Sequence, residues 1–270
     1  MATILTYNGQ PLDYGEIPVR TYSTKSWSGL ASLTGAYVWS DGTNIYYSYG
    51  STQYVLDTST STWSVKTWTG LTSFYGNDVW SVGSNIYYSN GGSQYVLDKA
   101  TSKWTVKTWD GYSGVQIGRY IWKNPVTTFY SNRSAQYQLN TSTSTWSTTS
   151  FTGLVSFYGN YVWMDGSFPY YSEGTYQYSL SPNTTRWSAK TWTGLTSFYG
   201  NNVWEFGGNI YYSSGSSHYI KSGSNWIPIN WGISFNGENV WTANGHAYVN
   251  GNYELLVTYP STNYNFISYT

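Results

Sequence analysis

Residues 68–108 read WTGLTSFYGNDVWSVGSNIYYSNGGSQYVLDKATSKWTVKT. Four runs in and at the edge of this stretch are rich in aromatic and β-branched residues: 78–82, 86–89, 94–98 and 103–109. Gly83-Ser84-Asn85, Asn90-Gly91-Gly92 and Lys99-Ala100-Thr101-Ser102 separate them, and these residue types supply the tight turns of hairpins. The stretch therefore predicts four meandering strands, entered through a longer connection at 69–77. The same unit starts again at Trp27, Trp109, Phe151, Trp192 and Trp231, so that successive starts lie 41, 41, 42, 41 and 39 residues apart. Six such units predict an all-β, six-bladed β-propeller of four-stranded antiparallel blades, with about 41 residues per repeat.

Composition supports strands and narrows function. The 270-residue chain is 21% aromatic and 9% charged, with 31 Tyr and 16 Trp, which is neither the signature of disorder nor that of helices. Twelve basic and twelve acidic residues cancel, leaving no basic face for a phosphate backbone, so no nucleic-acid partner is expected. The absence of Cys removes disulfides, thiol nucleophiles and thiolate metal sites. The opening MATILTYNGQPLDYGEIPVR lacks a basic patch followed by an apolar run, so no secretory signal is expected there. No apolar stretch is long enough for membrane insertion.

All 16 tryptophans fall on three positions of the unit. They open it (Trp27, Trp68, Trp109, Trp192, Trp231, with Phe151 in the remaining copy), sit in the first strand (Trp39, Trp80, Trp122, Trp163, Trp204, Trp241), or begin the fourth (Trp63, Trp104, Trp146, Trp187, Trp226). A ring present at the same place in nearly every copy reads as packing between blades rather than as a ligand contact.

The third and fourth strands carry Tyr54-Val55-Leu56-Asp57 through Trp63 and Tyr95-Val96-Leu97-Asp98 through Trp104, preceded by Asn-Ile-Tyr-Tyr and Gly91-Gly92. This spacing of Tyr, Asp, Thr and Trp, with the preceding strand that ends in Gly91-Gly92, resembles the kelch repeat over roughly residues 21–260. The double glycine shrinks to Gly50, Gly174 and Gly215 in other copies, and the Asp becomes Asn140, Ser181 and Ser222, so the array resembles a divergent kelch propeller. That resemblance implies a fold rather than one activity. Residues 1–20 lie outside the repeat and are read as an N-terminal arm, for attachment or closure, with the propeller over 21–270. A propeller must close to cover its strand edges, and both 21–27 and 264–269 could supply the closing strand.

Departures from the repeat are where chemistry would show. His218 replaces a recurrent Gln, and His246 stands in a short turn of the last copy. They are too far apart and too poor in acidic companions for a metal site, and both are expected in solvated loops. Glu173, Glu205, Glu238 and Glu254 do not repeat, and two of them meeting across the axis would make a glycosidase carboxylate pair. The chain resembles six-bladed sialidases in size, but it lacks their Ser-x-Asp-x-Gly-x-x-Trp turn and has four Arg in all. A phosphate loop and a nucleophile elbow are also missing. No catalytic residue, metal or cofactor is expected.

The inter-blade connection is the binding candidate. Phe74-Tyr75-Gly76-Asn77 returns as Phe157-Tyr158-Gly159-Asn160 and Phe198-Tyr199-Gly200-Asn201. One ring of each pair should pack inward while the other, beside an amide, suits a sugar ring. The expected ligand-binding residues are thus Tyr75, Asn77, Tyr158, Asn160, Tyr199 and Asn201, in several equivalent sites acting by avidity. The sequence resembles displayed adhesins and virion components, a bacteriophage tail or capsid-associated protein among them. The expected role is a non-enzymatic binding or structural propeller engaging a cell-surface glycan or a virion or surface protein, attached through residues 1–20. Its expected location is the virion or the extracellular space after release without a signal, with the cytoplasm as the alternative. The alternative function is a glycan-processing enzyme using the non-repeating carboxylates.

Overall fold

Six sheets stand in a ring. The computed structural model describes residues 18–258 apart from 113, 115, 182 and 183, together with the backbone of Thr6–Tyr7 and Gln10–Pro11, which pair antiparallel. The second blade shows the pattern: strands Val79–Val82, Asn85–Gly91, Ser93–Asp98 and Lys103–Val106, each hydrogen-bonded to the next. The expected runs are present with shifted ends. Asp78 closes a 3-10 turn, Gly76–Asp78, instead of opening the strand. The connection before it is not bare loop, since Phe74–Tyr75 pairs with the end of the previous blade's second strand.

The ring closes at the N-terminal candidate, but with a strand that starts two residues inside the expected arm and ends three short of Trp27. Val19–Thr24 adds as fourth strand to the sixth blade, in register from Val19 opposite Thr258 to Thr24 opposite Tyr253. Thus Val19–Thr24 covers the edge that the last described strand, Tyr253–Thr258, would expose. The other candidate, 264–269, and most of the expected arm lie outside the described residues.

Six apolar clusters fill the seams between adjacent blades, one of them joining the sixth blade to the first through Trp241, Tyr248, Trp63 and Leu33. Every tryptophan except Trp27 is buried. The fourth-strand tryptophans are each 1% exposed, as expected for residues reserved for packing. First-strand indoles stack on the next strand's aromatic ring, as in Trp39 on Tyr46 at 4.6 Å and Trp163 on Tyr170 at 4.7 Å. Such pairs add about 0.5–1.5 kcal/mol beyond area burial.

Buried indole N–H groups ordinarily find an acceptor; those of the fourth-strand tryptophans have none among the described residues, whereas those of the first strands do. Trp39, Trp80, Trp122, Trp163 and Trp204 each donate to a fully buried serine nine residues on, at 2.8–3.0 Å. In the second blade Ser89 passes the bond to Gln94 Oε1 at 2.5 Å, and Gln94 Nε2 donates to the Gly91 carbonyl at 2.9 Å. His218 occupies the glutamine position of the fifth blade. It is 3% exposed, stacks on Phe235 at 4.6 Å and bonds the Ile233 carbonyl through Nε2 at 2.8 Å. This overturns its reading as a solvated histidine: it substitutes for a core amide, and its ring reaches the same kind of backbone partner. His246 begins a strand and is exposed, pairing with Glu254 at 2.6 Å.

Candidate functional site

The six 3-10 turns, Gly35–Tyr37, Gly76–Asp78, Gly118–Tyr120, Gly159–Tyr161, Gly200–Asn202 and Gly237–Asn239, touch one another in sequence and close a ring around the axis. Their leading glycines make this approach possible. A Cβ on Gly159 would lie 1.9 Å from the Tyr120 carbonyl oxygen and 2.9 Å from Trp122 Cδ1.

The second residue of each turn is thereby held at the axis. Ala36, Asn77, Arg119, Asn160, Asn201 and Glu238, one from each blade, line a single cavity of about 630 Å³. Ile121, Lys123, Val162 and Met164 continue its wall inward along the first strands. Asn77, Asn160 and Asn201 therefore share one mouth, rather than serving one site per blade.

Two repeat departures build one unit there. Asp78, whose side chain is fully buried, accepts from Arg119 Nε at 3.0 Å and Nη2 at 3.3 Å, and from Asn90 Nδ2 at 3.0 Å. Burial disfavours the Arg119 charge, but the hydrogen bond and charge of Asp78 outweigh it and hold the guanidinium above its ordinary range. Lys123 keeps access to water while protein crowds its ammonium; that desolvation lowers its pKa, and Nζ donates to Ser81 at 3.1 Å. Opposite, Glu238 accepts from Asn201 Nδ2 at 2.9 Å.

The paired rings of the connection divide as a strand's alternation requires. Phe74, Phe157 and Phe198 are each 1% exposed, whereas Tyr75 is 39% and Tyr199 46% exposed and Tyr158 is half-buried. Each tyrosine leans on the preceding blade's turn: Tyr75 on Tyr37 at 5.9 Å, Tyr158 on Tyr120 at 5.4 Å, Tyr199 on Tyr161 at 5.6 Å. Tyr49, 49% exposed, adds to the first group at 5.4 Å from Tyr75, and Arg133 lies over Tyr158 at 5.5 Å. The result is a broken collar of tyrosines packed on the turns that carry the amides, none of them lining the cavity itself.

The four non-repeating glutamates have different partners, although Glu173 stands opposite Tyr199 in the ladder, two residues from the Asn201 that binds Glu238. Glu238 is at this mouth, Glu205 lines a different cavity with Ser40 and Thr242, Glu254 pairs with His246, and Glu173 accepts from the Tyr171 hydroxyl. Among the described residues no group of three His, Cys, Asp or Glu could hold a metal ion. Arg119 escaped the sequence reading because the third copy lacks the Phe-Tyr pair, carrying Gln116-Ile117 instead. Aligning the copies on the turn glycine alone places Arg119 in the asparagine column.

No family model matches the chain, and no curated protein does either. Solved structures share the fold. YjhT is 8% identical with a TM-score of 0.60, over 86% of this chain and 95% of its own. A candidate gluconolactonase is 8% identical with a TM-score of 0.55, over 91% and 95%. The extracellular domain of BT4673 from B. thetaiotaomicron, a candidate one-component system, is 12% identical with a TM-score of 0.53, over 80% of this chain. The match spans about a third of that domain's length, 31%. At these identities the likeness is one of fold. Among the described residues, no helix is long and apolar enough to cross a membrane. The chain is a six-bladed β-propeller whose axial mouth is ringed by one side chain from each blade.

Proposed function

We propose that this propeller is a non-enzymatic binding module, displayed on a virion or cell surface, that takes a glycan at its axial mouth. One observation carries the reading: Asn77, Asn160 and Asn201 converge on one cavity inside a tyrosine collar. Planar amides suit sugar hydroxyls, and tyrosine faces suit the apolar side of a pyranose. The chain's direction supports display. Second strands end beside the turns, third strands run back from there, and the chain enters at Val19 opposite its exit at Thr258. Both points lie on the face away from the mouth, so a tether through residues 1–20 would leave the mouth outward. Glu238 is the one glutamate of the four that lines the cavity, which favours binding over glycosidase chemistry, since that needs two carboxylates flanking one bond. The kelch-like spacing and the sequence's likeness to virion proteins belong to this same reading.

The test is a glycan array with the intact protein, an Asn160→Ala/Asn201→Ala variant, and a Tyr75, Tyr158, Tyr199 triple-Ala variant. Binding should fall roughly tenfold in the amide variant, the effect of a hydrogen bond or two, and further in the collar variant. No glycan bound by the folded intact protein refutes the glycan reading.

A further inference from the structure

We infer that the axial mouth is built for a zwitterionic ligand, an oligosaccharide carrying both amino and carboxylate groups; this rests on the glycan reading above. The turn ring is sixfold in backbone but not in charge. Its second positions run Ala36, Asn77, Arg119, Asn160, Asn201, Glu238, so the one cation and the one anion stand three blades apart, on opposite sides of the axis. The same cavity therefore has a positive wall and a negative wall, with amides between them.

Both poles retain unused hydrogen-bonding capacity. Asp78 engages Nε and Nη2 of Arg119, so the guanidinium is fixed in place. Its Nη1 makes no hydrogen bond among the described residues. Lys123, from the same blade, lines the same wall, and its one hydrogen bond among the described residues goes to Ser81. Two cations against one buried carboxylate leave that wall with an excess positive charge. On the far wall Glu238 is exposed and binds Asn201 through Oε2, leaving Oε1 to accept from an ammonium or a hydroxyl. A blade-to-blade staple would need only the Arg119–Asp78 contact. It would not need Lys123 beside it or a carboxylate facing it across the cavity. Fixed opposite charges in one cavity favour a ligand whose charges are separated in the same sense and disfavour one of a single sign.

The experiment is calorimetric titration with four matched oligosaccharides: chitin (neutral), chitosan (cationic), hyaluronan (anionic) and de-N-acetylated hyaluronan (zwitterionic). The zwitterionic probe should bind roughly 10- to 100-fold more tightly than its N-acetylated parent, the effect of one charge-assisted hydrogen bond. Glu238→Gln should abolish that preference while keeping the anionic affinity. Arg119→Gln alone would strand the buried Asp78, and Lys123 would keep the wall's excess charge, so the triple variant Asp78→Asn/Arg119→Gln/Lys123→Gln is used, with folding checked by circular dichroism. It should remove the preference for both carboxylated probes. Equal binding of all four oligosaccharides, with either variant unaffected, overturns the polarity inference and leaves the glycan reading standing. No binding of any of them refutes both for these sugars, and the array separates the two by showing whether another glycan binds.

Discussion

Replacing Gly159 by alanine tests whether the ring of turns holds the site together. Gly159 has an ordinary backbone, so its lack of a side chain is a matter of space. An added Cβ would meet the Tyr120 carbonyl oxygen at 1.9 Å and its carbon at 2.6 Å. Ordinary contacts lie near 3.4 Å or beyond, and the obstructing atoms are backbone, which cannot rotate away. Because each turn abuts the next around a closed ring, one turn cannot retreat without pressing on its neighbours. Overpacking of this kind costs about 3 kcal/mol or more, at the upper end of the usual range. A lowered unfolded-state entropy offsets less than about 1 kcal/mol of it. At about 2–4 °C per kcal/mol for a chain of this size, a net cost of about 2–3 kcal/mol should lower the melting temperature by roughly 4–12 °C. Gly166→Ala is the control: its φ of +57° disfavours alanine, but a Cβ there meets nothing within 4 Å, so its cost should stay at about 1–2 kcal/mol. Scanning calorimetry on the two variants decides. A Gly159→Ala protein as stable as the wild type, or more stable than Gly166→Ala, would refute the interlocked ring.

Three further outcomes follow from the core. Ser89→Ala strands the Trp80 N–H and the Gln94 carbonyl in a site that is 0% exposed, and urea unfolding should show a loss of about 2–4 kcal/mol. Adding Trp80→Phe should recover part of it in a double-mutant cycle. Burial lowers the pKa of His218 below its usual 6.5, with the Ile233 carbonyl opposing. The unfolded chain therefore takes up the proton first, and stability should drop as pH falls from about 6.5 towards the folded-state pKa. His218→Gln, which restores the repeat residue, should flatten that part of the stability–pH curve. Lys66, Lys107 and Lys190 lie over Trp68, Trp109 and Trp192 at 4.6–4.7 Å, while the copy with Phe151 carries Thr149 in the lysine's place. Lys107→Met should cost about 0.5–1 kcal/mol in urea unfolding, and a neutral result would reduce the pairing to coincidence.

The blade count, the four strands per blade and the structural role of the tryptophans were legible in residues 68–108 and their copies. Repetition makes such information local: period, alternation and turn chemistry all act over a few residues. The same local reading correctly split Phe74 from Tyr75, and it named Asn77, Asn160 and Asn201 as expected ligand contacts. It could not show that these amides share one cavity, because they are brought together by closure of a ring whose seams join residues about 40 positions apart. Closure through Val19–Thr24, the burial of His218, and Arg119 standing across from Glu238 are of the same kind. Each depends on what packs against what once the blades meet. A periodic sequence fixes the unit and its neighbours, whereas the angle between units and the axis they enclose are set by packing of buried side chains, which only the tertiary structure decides.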